Sequence, residues 1–178
     1  MSPELEHIRR EVEKLTRDWS DADWHRALAG KWTSGQILEH LLLSFTGTTK
    51  GIRSVMDAGR PLGGKPTVRD RMRTLAVAKF SVMPSGRESP HMAIPNDGLD
   101  RDSLRRFYDA LVAMDATLSD AERRFGSSVK LLDHPVLGPL GVKDWRRFHR
   151  THANHHLKQI ARTARQGTPR SADRQLSH

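Results

Sequence analysis

Between residues 148 and 160 the chain reads FHRTHANHHLKQI, and four of its ten histidines fall inside eight positions, 149 to 156. Histidine is a middling helix former and an uncommon core residue, so neither propensity nor packing accounts for such a run. Its chemistry does. Residues four apart on a helix stand about 5–6 Å from each other, so His152 and His156 can aim two imidazole nitrogens at one point. Two ligands make a weak site. The other histidine within a strongly helical, inward-reading segment is His40, in QILEHLLLS, at the border of an apolar stripe. Gln36, Ser44, Gly47 and Gly51 share its strip, and such small and polar neighbours read as the lining of a pocket. His40, His152 and His156 are therefore the expected ligands of a divalent metal.

The competing reading is a set of core histidines satisfied by ordinary hydrogen bonds. A buried imidazole nitrogen left unpaired costs about 1–3 kcal/mol, so several inward histidines without a shared partner drain a marginally stable domain. A shared metal turns that cost into binding energy, roughly 10–16 kcal/mol for structural zinc. His149, one turn before His152, and His155, about 100° round the helix from His156, each read as a hydrogen-bond partner behind the ligands or a pocket acid or base. His149 is the better candidate for a catalytic base. Glu39 adjoins His40 but projects away from it, and reads as either a second base or a solvated carboxylate. Tyr108, the only tyrosine, faces either solvent or the pocket. His7, His25, His91, His134 and His178 sit in polar or loop contexts and read as incidental. Nothing resembles a Ser-His-Asp order, a phosphate-cradling glycine loop or HExxH, so covalent serine catalysis is not expected.

Long helices must position these groups. Ser2-Pro3-Glu4 starts the first, with an N-cap hydroxyl, and Leu5, Ile8, Val12 and Leu15 follow at helical spacing. A polar connection holds Trp19 and Trp24. Thr33 and Gln36 form a capping-box pattern, predicting a second helix to about Ala58, before Gly59. RDRMRTLAVAKF reads as a short helix, and the Pro- and Gly-rich stretch at 81–99 as a long crossover loop. Asp100 can cap a third long helix, whose stripe of Leu104, Phe107, Leu111, Met114 and Leu118 runs to about Phe125. HPVLGPLGV is a break. A fourth helix runs from about Val142 to Arg165, with Trp145, His149, His152, His156 and Ile160 on one face and Arg146, Arg147, Arg150 and Lys158 on the other. The pattern implies an all-α four-helix bundle with a long crossover between helices 2 and 3, spanning 1–166, followed by a flexible basic tail, 167–178.

The length of 178 residues suits one domain with one core. Without cysteine, thiolate sites and disulfides are excluded, and any metal is held by nitrogen and oxygen. The charged start MSPELEHIRREVEKL lacks the apolar core of a signal peptide, no stretch approaches the ~20 apolar residues of a membrane span, and the expected compartment is the cytoplasm. Thirty Lys and Arg against twenty-one Asp and Glu give +9. That excess raises nucleic acid as an alternative partner. It is scattered, has few aromatics among it, and lies partly in the tail, so a small-molecule substrate is the stronger expectation and nucleic-acid binding the weaker.

WTSGQILEHLLLS followed by HPVLGPLGVKDWRRFHRTHANHHLKQI resembles the DinB/YfiT-like superfamily of four-helix bundles, closest to its bacterial branch with HP.LG before the last helix. The resemblance runs from the first helix to about Arg165. It implies a mononuclear site of three neutral imidazoles, at His40, His152 and His156, on zinc, nickel or a similar ion with water in the remaining positions. It places Gln159 beside the ligands. With Gln36 and His155, Gln159 is expected to hydrogen-bond around the ligands. Members include thiol-dependent transferases, isomerases and hydrolases, so the resemblance implies a metal-dependent hydrolase or a transferase using a low-molecular-weight thiol. The alternative is a metal-binding or nucleic-acid-binding bundle without turnover. Relatives often pair through helices, which makes a homodimer an expectation as well.

Overall fold

The computed structural model describes residues 1–70, 72–74 and 93–166. Its elements are α1 (Pro3–Thr16), α2 (Asp21–Trp24), α3 (Ser34–Asp57), α4 (Leu104–Phe125), β1 (Leu132–His134), β2 (Gly138–Leu140) and α5 (Val142–Gln166). Residues 68–70 and 72–74 are also helical. The protein is mostly helical, and no described helix is long and apolar enough to cross a membrane. Most of the crossover read from the sequence, with His91, lies outside the described residues, as does the basic tail at 167–178.

The apolar periodicity decides which faces are buried. Leu5, Ile8 and Val12 of α1 face the core together with Phe107, Leu111 and Met114 of α4. α3 packs along α4 and α1 along α5, while α5 also touches α3 and α4. Phe45 and Phe107 meet edge to face with centroids 5.3 Å apart at the α3–α4 seam.

The helix starts follow local chemistry, with two corrections. Thr33 Oγ1 accepts the Gln36 N–H and Gln36 Oε1 accepts the Thr33 N–H, the reciprocal box that begins α3. Pro3 begins α1 as expected, but the Ser2 hydroxyl caps nothing. Instead the Ser2 N–H donates to Asp115 of α4. Asp100 brackets a turn with Ser103 rather than capping the helix itself, so α4 begins later, at Leu104.

Two further elements differ from the sequence reading. The connection holding Trp19 and Trp24 contains the short α2, whose Trp24 is buried and meets Trp19 edge to face. The break before the last helix is an antiparallel hairpin, with Leu132 opposite Leu140 and Gly138 turning at φ +73°. His134 is part of that hairpin: its Nδ1 accepts the N–H groups of Val136 and Leu137, and its ring packs on Phe148. Gly51, read as pocket lining, serves close approach instead, since a Cβ there would lie 2.4 Å from Leu132 Cδ2.

Arg146 does not belong to the solvated face of α5. It is 14% exposed, donates to Glu122 and Ser119 of α4, and lies 3.5 Å from Asp115 Oδ1. Arg147, Arg150 and Lys158 are exposed as expected. Removing one partner of a fully buried ion pair costs about 3–5 kcal/mol. Because this network keeps some solvent contact, Arg146→Met is expected to cost about 2 kcal/mol, read as a lower urea midpoint at unchanged slope.

Candidate metal centre

The second turn of α3 and the middle of α5 carry the imidazoles that the sequence singles out. His40 Nε2 lies 3.1 Å from His152 Nε2, and His156 Nε2 lies 3.1 Å from the same atom. One nitrogen from each of the three rings lies within 4.8 Å of the other two. His40 and His152 are buried, while His156 keeps some exposure. Trp32 covers the His40 ring at 5.1 Å, and Phe148 stacks on His152 at 5.3 Å and 17°.

Hydrogen bonds on the far side of two rings decide where their protons sit. His40 Nδ1–H donates to the Ala93 carbonyl at 2.6 Å, and His156 Nδ1–H donates to Gln159 Oε1 at 2.8 Å. Both Nε2 atoms therefore present lone pairs toward His152. His152 can point a single Nε2–H at one of them, not at both. If its proton sits on Nδ1 instead, three lone pairs face one another, and that Nδ1 is buried without a partner. An additional proton is disfavoured. Burial holds His40 below its ordinary value against the Ala93 bond. Burial and the neighbouring imidazoles hold His152 well below, and burial with His40 pushes His156 down to about 4.

A divalent cation satisfies all three lone pairs at once. Nitrogens at about 2.1 Å from an ion stand roughly 3.0 Å apart at a right angle and roughly 3.4 Å apart at a tetrahedral one. The two 3.1 Å separations from His152 match that spacing, and the His40–His156 pair, within 4.8 Å, would draw together on an ion. The donor set suits zinc, nickel or another imidazole-binding ion. His40 and His156 also have the acceptor behind the ring that metal-bound histidines commonly have; His152 does not.

The remaining expected site residues divide. Gln159 stands in the network, taking the His156 proton on Oε1 and donating from Nε2 to His155 Nε2 at 3.0 Å. His155 is thereby joined to the trio through one side chain. His149 is 0% exposed, with Nε2 3.0 Å from Thr48 Oγ1 and its ring against Trp145 and Phe45. It lies in the core behind His152, and burial pushes it down to about 3. Glu39 and Gln36 are bonded to residues 96–98 instead, and Gln36 also accepts the N–H of Thr33, the cap of α3. Tyr108 lies on the α1 side beside Thr16, half-buried, and burial raises its phenol.

Three contributors escaped the sequence reading. Ala93 acts through a backbone carbonyl, which leaves no signature in residue type. Trp32 sits just before the Thr33 cap, where an aromatic has no periodic role. Phe148 was legible in principle, being four residues before His152 on the same helical face.

No curated protein and no solved structure matches the chain. The family described as "Protein of unknown function (DUF1569)" matches residues 2–163, from the residue before α1 to the last turn of α5, and the chain belongs to that family.

Proposed function

We propose that this chain is a metal-dependent enzyme acting on a small molecule, a hydrolase or a thiol-dependent transferase, built as a four-helix bundle of the DinB/YfiT-like kind. His40, His152 and His156 would hold one zinc or nickel ion. The observation that supports it is the convergence of three Nε2 atoms, two of them with their protons held on the far nitrogen. Three neutral imidazoles leave positions for solvent or substrate, and an ion so held supplies Lewis acidity toward a water or a carbonyl.

The chain's own residues set the conditions for that chemistry. Ala93 and Gln159 fix the ring orientations of the outer ligands, while Trp32 and Phe148 restrict water around His40 and His152. His155 is more exposed than His149 and is coupled to the ligand set through Gln159, so it is the better placed of the two to exchange a proton with a bound molecule. His149 is enclosed against Thr48 and serves the site from behind. A low-molecular-weight thiol as co-substrate and pairing as a homodimer belong to this reading through the resemblance to that superfamily.

The test is cobalt substitution followed by substrate screening. The cobalt-loaded protein is expected to show exchangeable water on the ion and turnover with a panel of activated esters, amides and thiol-transfer substrates. A cobalt spectrum of a site closed by protein ligands, with no water to exchange, would refute the enzymatic reading.

A further inference from the structure

Residues 93–99 lie directly on the first turns of α3. The Leu99 N–H donates to the Gly35 carbonyl at 3.0 Å, and a Cβ on Gly35 would lie 2.2 Å from the Leu99 oxygen. Gly98 takes φ +87°, and a Cβ there would lie 2.8 Å from the Gln36 nitrogen, so the two backbones touch without intervening side chains. Gln36 Nε2 donates to the Asn96 carbonyl at 3.0 Å. One carboxylate oxygen, Glu39 Oε2, accepts both the Asn96 N–H at 3.0 Å and the Gly98 N–H at 2.8 Å. At the upstream end of this strap the Ala93 carbonyl takes the His40 Nδ1 proton.

Adjacent helical residues point about 100° apart, so Glu39 cannot join the trio that His40 joins. The strap connects them. It crosses from the Glu39 side of α3 to the His40 side, and the carboxylate anchors it three residues from the carbonyl that orients the ligand. We propose that Glu39 is a positioning residue for the metal ligand His40, acting through the 93–98 strap that brings the Ala93 carbonyl onto Nδ1. The inference rests on the metal reading above. It predicts that an acceptor at position 39 is what matters, not a charge, because the two groups it binds are backbone amides.

The experiment is cobalt titration, followed by visible absorbance, of the full chain and of three variants. Glu39→Met keeps the side-chain bulk but removes the acceptor, Glu39→Gln keeps one oxygen, and Asn96→Pro removes one amide from the strap side. Loss of a group that orients a metal-bound histidine typically weakens binding about 10- to 100-fold. Glu39→Met is expected to fall in that range, Asn96→Pro to lose roughly severalfold, and Glu39→Gln to stay within about threefold of wild type. Long-range proton–nitrogen spectra of the imidazoles supply a second readout. The Nδ1–H form of His40 is expected in wild type and Glu39→Gln, and exchange between tautomers in Glu39→Met. If Glu39→Met does not fold, Asn96→Pro decides by the same two readouts. Wild-type affinity in Glu39→Met, or a lowered melting temperature with unchanged affinity and tautomer, overturns the positioning role. Wild type that binds no cobalt overturns the metal reading itself.

Discussion

Replacing His152 with alanine is expected to reduce metal bound after desalting from about one ion per chain to none. His152 Nε2 is the middle atom of the three, 3.1 Å from each outer nitrogen, so its loss separates His40 on α3 from His156 on α5. A third of a binding energy of roughly 10–16 kcal/mol is about 3–5 kcal/mol, or a factor of about 10² to 10⁴ in affinity. Elemental analysis of untagged protein measures the stoichiometry. Thermal melting adds an independent measure. Metal at a hundred times its Kd stabilises by about 2.7 kcal/mol, which in a chain of this size raises Tm by roughly 5–10 °C. Wild type should show that rise, reversed by a chelator, and His152→Ala should not. Metal retained at full stoichiometry by the variant would show that the ion sits elsewhere.

The metal-free protein is expected to lose stability steeply as pH falls from about 6.5 toward 4. His149 is wholly buried and its imidazole is pushed down to about 3 by burial, with His134 adding a smaller effect. His134, which accepts two backbone N–H groups on Nδ1, is pushed down to about 4. Both are depressed below the ordinary 6.5, so the unfolded chain takes up protons that the folded chain refuses. Stability is then fully present above pH 6.5 and is lost as pH drops toward the folded values. Each such imidazole contributes a slope of at most about 1.4 kcal/mol per pH unit. Urea unfolding of chelator-treated protein across pH 4–7 measures the total, and His149→Gln should flatten it by about one imidazole's share. An unchanged slope in that variant would mean that His149 is reached by protons without unfolding.

The hairpin at 132–140 shows where reading from sequence stopped. Its strands are three residues each, too short for alternation to stand out, and it is seated by tertiary packing, with Leu131, Leu137 and Leu140 buried in the core and His134 on Phe148. Arg146 shows the same limit in a charge. On a helical wheel it lies with exposed arginines, and only the approach of α4 brings Asp115, Ser119 and Glu122 to it. Glu39 adjoins a ligand in sequence, yet its partners, Asn96 and Gly98, are 57 and 59 residues away along the chain.

By itself the sequence determined the four long helices, the capping box at Thr33 and Gln36, the buried stripes and the choice of His40, His152 and His156. Those features follow from interactions between residues three or four apart, which residue type and spacing encode directly. Only the tertiary structure decided which nitrogen of His40 keeps its proton, since the Ala93 carbonyl comes from 53 residues beyond it. A backbone carbonyl has no identity in a sequence, and its place is set by where the chain has to pass.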